Sequence, residues 1–171
     1  MTWRAIVLVA MLGLSGCGDD SGAAVPPAPL EPGADASGHF CGMSLLEHAG
    51  PKGQVHLRGR AEPLWFTSVR DTLAFALLPD EPWPIDAIFV NDMGRASWAR
   101  PEPGTWIEAR RAWYVVGSTR AGGMGAAETI PFAERDAARR FADEHGGVVL
   151  GFDDIPRDAV LGRTETSGAN R

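Results

Sequence analysis

The side chains best equipped for chemistry in this chain are sulfur donors and imidazoles gathered in one short stretch. His39-Phe40-Cys41-Gly42-Met43 is followed by Glu47-His48 and then by Gly50-Pro51-Lys52-Gly53. Thiolate and thioether sulfurs are soft ligands that suit Cu(I), and imidazole suits copper or zinc. The single glycine between Cys41 and Met43 lets both sulfurs turn toward one point where the backbone bends, and in an extended strand residues i and i+2 share a face in any case. The segment reads as a candidate Cu(I) site with Cys41 and Met43 as donors, and with His48 or His39 as alternates to Met43. A second methionine, far along the chain, adds to the set. Met124 stands in Gly122-Gly123-Met124-Gly125, where glycine loosens helix and strand alike, so its long side chain is presented on a loop and placed to reach for a ligand. Met93, in Asn91-Asp92-Met93-Gly94, is a weaker case, because turn-forming residues alone account for that loop.

Three other readings compete for the same residues. Zinc normally takes four closed ligands from Cys, His and carboxylates, and the histidines here form no recognisable ligand pairs with the one available thiol. A Cys41 nucleophile activated by His48 would make a cysteine-dependent lyase or a thiol oxidoreductase, although redox cycling asks for a second cysteine. In the plainest reading Cys41 is a small buried hydrophobe and Met43 a core side chain. No phosphate-cradling glycine loop, Ser-His-Asp signature or dinucleotide fingerprint is present. Trp65, Trp83, Trp98, Trp106 and Trp113 read as core and interface mass.

Cysteine usage sets the compartment. The chain has two cysteines, and the first, Cys17, closes the tetrapeptide Leu14-Ser15-Gly16-Cys17. Arg4 and an apolar run over residues 5–14 precede it, and about ten residues are too few to cross a bilayer that needs about 20. Residues 1–16 therefore read as a lipoprotein signal, cleaved before Cys17, whose thiol is acylated. More than one acyl chain gives firm attachment to a lipid bilayer, so the protein is expected on the periplasmic side of a bacterial membrane. Asp19 and Asp20 point toward the inner membrane without deciding it. Cys41 is then alone in an oxidising compartment where thiols usually pair, and is either buried and inert or kept for its chemistry. Without residues 1–16 the chain carries 15 basic against 22 acidic side chains, net −7, which argues against nucleic acid or anionic headgroups as partners.

The elements that must position these donors follow from composition and period. Residues 17–37 are expected to be a lipidated tether, since 21–37 hold four prolines, two glycines and five alanines; extended, those 17 residues would reach about 50 Å. The folded domain is expected over 38–157. Strands are predicted at 54–60, 62–66 and 85–91, with a helix over 68–78 behind a Ser68 N-cap. After a proline-rich joint at 100–104, strands at 112–118, 128–132 and 147–152 surround a helix over 134–145 that ends at Gly146. Both halves, about 38–99 and 105–157, read strand, strand, helix, strand, which makes an α+β body of two ββαβ units. Residues 158–171 lack an apolar period and are expected to be a flexible tail.

The order of Phe-Cys-Gly-Met at 40–43, Glu-His at 47–48, Gly-Pro-Lys-Gly at 50–53, Gly-Gly-Met-Gly at 122–125 and the segment 128–147 resembles the NosL family of nitrous oxide reductase accessory lipoproteins. The resemblance covers roughly residues 38–155. It implies a non-enzymatic periplasmic Cu(I) metallochaperone for maturation of nitrous oxide reductase, with an ATP-binding-cassette membrane complex as the partner that receives copper. It further implies two ββαβ units similar to part of organomercury lyase, and it places the family's cysteine on Cys41 and its later methionine on Met124. The family often carries proline after Glu-His, where this chain has Ala49.

Overall fold

Gly53–Leu57 (β1) is buried at every position, because it is covered on both edges as well as on its faces. It pairs antiparallel with Leu64–Phe66 (β2) on one side and with Ile85–Asn91 (β3) on the other. Between β2 and β3 the chain forms the helix Val69–Leu77 (α1), started by Ser68, whose hydroxyl accepts the Asp71 N–H at 3.1 Å. That bond satisfies a helix-end donor that would otherwise be unpaired. Trp106–Glu108 (β4) adds to the free edge of β3, giving a sheet of order β2-β1-β3-β4. This computed structural model describes residues 26–77 and 84–162. The signal sequence, the acylation site Cys17, Asp19, Asp20, Trp83 and residues 163–171 of the expected tail lie outside the described residues.

The second half repeats the pattern. Trp113–Ala121 (β5) pairs antiparallel with Ala127–Phe132 (β6) and with Val148–Gly151 (β7), and Arg135–His145 (α2) connects the two outer strands. The order β6-β5-β7 reproduces β2-β1-β3, with the first strand central in each unit. Helix α2 ends where expected: Gly146 takes φ 72° and its N–H returns to the Ala142 carbonyl, a conformation that suits glycine. The α+β body of two ββαβ units expected from the sequence is therefore present.

Neighbouring residues of β5 belong to different cores. Tyr114 packs with Val55, Phe66, Leu73, Phe75 and Ile88 of the first unit, while Val115 packs with Ile130, Phe132 and Ala138. Adjacent strand residues point to opposite faces, so β5 lies between the first unit and α2 and joins the halves through apolar burial. Each such side chain stabilises the fold by about 1.5–3 kcal/mol.

Three expectations need correction. The folded body begins before Gly38, because part of the expected tether is docked. The Leu30 N–H donates to Gln54 Oε1 at 2.9 Å, and Gln54 Nε2 donates back to the Leu30 carbonyl at 3.0 Å. Glu31 accepts from the Gly104 N–H at 2.8 Å and from Trp106 Nε1 at 3.2 Å. An extended proline-rich segment leaves its backbone groups unpaired, and a buried glutamine can engage them; composition cannot reveal that partner. Residues 158–161 are also not tail, since Arg157–Leu161 is a short helix (α3) that buries Val160 in the first core. Finally, the described tryptophans lie within neither core: all are half-buried, and Trp98 and Trp113 pack against the second core. The guanidinium of Arg120 lies 4.4 Å over Trp98, that of Arg135 lies 4.6 Å over Trp113, and Trp65 leans on Trp106.

Gln54 is fully buried and its amide also takes a hydrogen bond from His56 Nε2 at 2.8 Å. Gln54→Leu is expected to destabilise the fold by about 1–3 kcal/mol, since buried polar groups lose their partners. Hydrogen exchange at the Leu30 amide should rise sharply; unchanged exchange there would show that the strap does not depend on this side chain.

Candidate metal centre

The segment carrying Cys41 is a tight loop closed by its own backbone. Gly38 N–H donates to the Met43 carbonyl at 2.9 Å and Gly42 N–H to the Gly38 carbonyl at 2.7 Å. Gly42 sits at φ 66°, which a residue with a Cβ adopts poorly, so the backbone bends between the two sulfur residues and they are not on one face of a strand. The loop is fastened to β2 by the His39 N–H, which donates to the Trp65 carbonyl at 2.7 Å. Cys41 is half-buried, whereas Met43 is exposed and belongs to neither core.

Met124 comes from the turn between β5 and β6, closed by the Gly122 N–H to the Ala126 carbonyl at 2.8 Å and the Gly125 N–H to the Gly122 carbonyl at 2.9 Å. This turn lies directly on the segment after His48. A methyl group built at Gly123 would collide with the carbonyl oxygen of Ala49, so only glycine lets the two backbones meet. The two loops converge on Thr67, which is 3 % exposed at the junction of β2 and α1. Its Oγ1 lies 3.4 Å from Cys41 Sγ and 3.7 Å from Met124 Sδ. One hydroxyl therefore gathers a thiol from the first unit and a thioether from the second.

Two buried ionisable groups hold the loops from behind. Lys52, the only lysine of the chain, donates from Nζ to the Ala49 carbonyl at 3.0 Å and the Gly50 carbonyl at 2.6 Å. Burial pulls its pKa down to about 8, opposed by the charge of Glu128. Glu128 Oε1 accepts the Arg70 N–H at the start of α1 and the Thr129 N–H, both at 2.9 Å. Burial pushes its carboxyl up to about 7 against those bonds; Asp71 adds to the rise and Lys52 opposes it. Glu128 and Met124 line a shared cavity of about 190 Å³ with Ser68 and Arg70.

The remaining sequence candidates fall elsewhere. His48 opens on a different cavity of about 320 Å³, beside Glu31, Arg100, Glu102 and Trp106. The His39 ring stands edge-on to Phe66 and Phe75, with centroids 5.7 and 5.5 Å away. Met93 is half-buried and packs against the second core. Among the described residues no three of His, Cys, Asp and Glu gather where they could hold a metal ion, and the hydrogen-bond partner of Cys41 is Thr67, not a histidine. Among the described residues neither a zinc cage nor a cysteine-histidine dyad is built. Sequence reasoning missed Thr67 and Glu128 altogether, since a threonine before a helix cap and an acid in a strand carry no signal. Lys52 stood in a noted motif without a role.

Paired ββαβ units that present a thiol and a thioether from facing loops define a class of small α+β domain with an open sulfur site. Residues 29–160 match NosL, and the chain belongs to the NosL family. It is 45 % identical to the copper-binding lipoprotein NosL of Achromobacter cycloclastes over 97 % of this chain and 86 % of that protein. It is 36 % identical to the protein of the same description from Stutzerimonas stutzeri, over 88 % of this chain and 77 % of the relative. Among solved structures it is similar to the crystal structure of the copper chaperone NosL from Shewanella denitrificans, with a TM-score of 0.69 and 34 % identity over 75 % of this chain and 97 % of the other. The solution structure of apo-NosL from Achromobacter cycloclastes gives a TM-score of 0.50 and 48 % identity, covering 67 % of this chain and 92 % of that one.

The buried pair behind the loops predicts a pH dependence. The folded-state pKa of Glu128 is raised, so its stabilising effect is full below about pH 4.5 and is lost as the pH climbs toward 7. Lys52 is lowered, so its effect falls between about pH 8 and 10.5, where stability returns as the pH rises. Glu128→Gln is expected to remove most of the decline between pH 4.5 and 7, as followed by denaturant unfolding. An unaltered slope in that window would assign it to other groups.

Proposed function

We propose that this chain is a lipid-anchored carrier of Cu(I) on the periplasmic side of a bacterial membrane, with Cys41 and Met124 as ligands and Met43 as the third sulfur. Its role is delivery, not catalysis: copper is passed to an ATP-binding-cassette membrane complex and through it to nitrous oxide reductase during maturation. The observation that carries the reading is the meeting of Cys41 and Met124 on Thr67. The descriptions of the relatives as copper-binding lipoproteins and of a structural neighbour as a copper chaperone support the choice of metal. The softness of two sulfur donors supports the monovalent state. Acylation of Cys17 supplies the anchor.

The geometry suits pick-up and release. A thiolate supplies charge and a neutral thioether supplies a second soft donor, while Met124 is 48 % and Met43 38 % exposed. The ion is thus held from one side, and an incoming donor from a partner can enter the open side and displace the carrier's sulfurs one at a time. A closed four-ligand cage would have to break before transfer could begin.

Cys41→Ser is expected to abolish tight Cu(I) binding with the fold intact, because it removes the only anionic soft donor. Met124→Leu should leave stability within about 1.5 kcal/mol of the parent, since it conserves apolar volume, while weakening Cu(I) binding and removing one sulfur from the copper X-ray absorption spectrum. Competition against Zn(II) measures the metal preference; equal occupancy by zinc would defeat the Cu(I) reading.

A further inference from the structure

The hydrogen bonds around Thr67 have a direction. A thioether carries no proton, so the Thr67 hydroxyl donates to Met124 Sδ. A hydroxyl has one proton, so toward Cys41 its oxygen accepts and the thiol S–H donates. With a protonated thiol the arrangement is therefore a donor chain that runs from Cys41 through Thr67 to Met124. Thr67 is 3 % exposed, and among the described residues its hydroxyl has no partner but the two sulfurs. Sulfur is a weak acceptor, and a buried hydroxyl would ordinarily find an oxygen. The surroundings are shaped for this contact: a methyl group at Gly38 would stand 2.7 Å from Cys41 Sγ and 3.0 Å from Thr67 Cγ2.

We propose that Thr67 is the positioning residue of the site, holding Met124 beside Cys41 while the thiol keeps its proton and releasing it when copper displaces that proton. The proposal rests on the Cu(I) reading above. Loading exchanges one cation for another: Cu(I) bonds to Sγ, the S–H bond breaks, the proton leaves to solvent and no electron is transferred. Sγ then has no proton to give and carries negative charge, so it becomes the better acceptor for the Thr67 hydroxyl, charged acceptors binding roughly twice as strongly as neutral ones. The hydroxyl turns from Met124 to Cys41, and the Met124 lone pair is freed as the metal needs a second ligand. Thr67 touches the ligands and not the metal, so it acts through them.

The test uses the mature chain in detergent and compares Thr67→Val, which keeps shape without a proton, with Thr67→Ser, which keeps the hydroxyl. Cu(I) affinity is read by competition with a chromogenic chelator, sulfur coordination by X-ray absorption, and folding by the Tm of the metal-free protein. Thr67→Val is expected to weaken Cu(I) binding by about tenfold or more, as for loss of a hydrogen bond to a charged group, and to lower the sulfur count at copper. Thr67→Ser should restore both. Where Thr67→Val lowers the Tm, Thr67→Ala is read against the same two criteria. A Val or Ala variant with parental affinity and sulfur count overturns the proposal. If the parent itself shows fewer than two sulfurs at copper, the Cu(I) site reading fails first and this inference with it; two sulfurs in both parent and variant overturns this inference alone.

Discussion

Gly123 and Ala49 approach so closely that no side-chain carbon fits at Gly123, and this clearance sets where the second unit's loop can lie on the first. The constraint is steric and has no adjustable part. Around it, softer interactions fix orientation. Lys52 holds the carbonyls of Ala49 and Gly50 from below, and Glu128 draws the first turn of α1 toward β6. These are costly groups to bury, and burial moves the pKa of each toward its neutral form. Titratable groups displaced in this way cluster at functional sites. Here they lie behind a pair of loops whose tips carry sulfur.

Rigidity behind and openness in front are complementary. The thiol and the thioether reach the surface on short turns, so their separation is governed by the backbones beneath them and not by enclosing walls. Preorganisation lowers the ordering entropy that a ligand must otherwise overcome, and it allows a small number of donors to suffice. Duplication contributes as well: two units of identical strand order each offer one loop, and the site exists only where they face each other. Neither unit alone carries both sulfurs.

The fold was legible to the extent that it is periodic. The strand Ile85–Asn91 coincides with its expected limits, and the Ser68 cap and the Gly146 stop stand where residue chemistry demands them. The strand Trp106–Glu108 and the helix Arg157–Leu161 were missed because three and five residues are too few to display a period. Cys41 and Met124 could be singled out because unpaired thiols and methionines on glycine loops are chemically conspicuous. Their meeting could not be read from spacing and was expected only through the family resemblance, since it depends on a backbone contact between Ala49 and Gly123. Thr67 was invisible for a related reason: a hydroxyl gains meaning only from its neighbours in space. His48, conspicuous in sequence, turns to another cavity.

The docked strap alters the mechanics of attachment. A chain hanging free from residue 17 to 37 would behave as a slack line, letting the body tumble and wander. With Leu30 and Glu31 fastened to the sheet, an acyl anchor at Cys17, as proposed, would reach the body through the 13 residue steps to Leu30 instead of the 20 to Ser37, a span of at most about 45 Å. Local concentration falls roughly as the three-halves power of the length of a link, so shortening it from 20 to 13 steps would concentrate the carrier about twofold at the bilayer. The clasp between a glutamine amide and one peptide unit would thus become a gauge of altitude, limiting how far above the lipid the sulfurs travel.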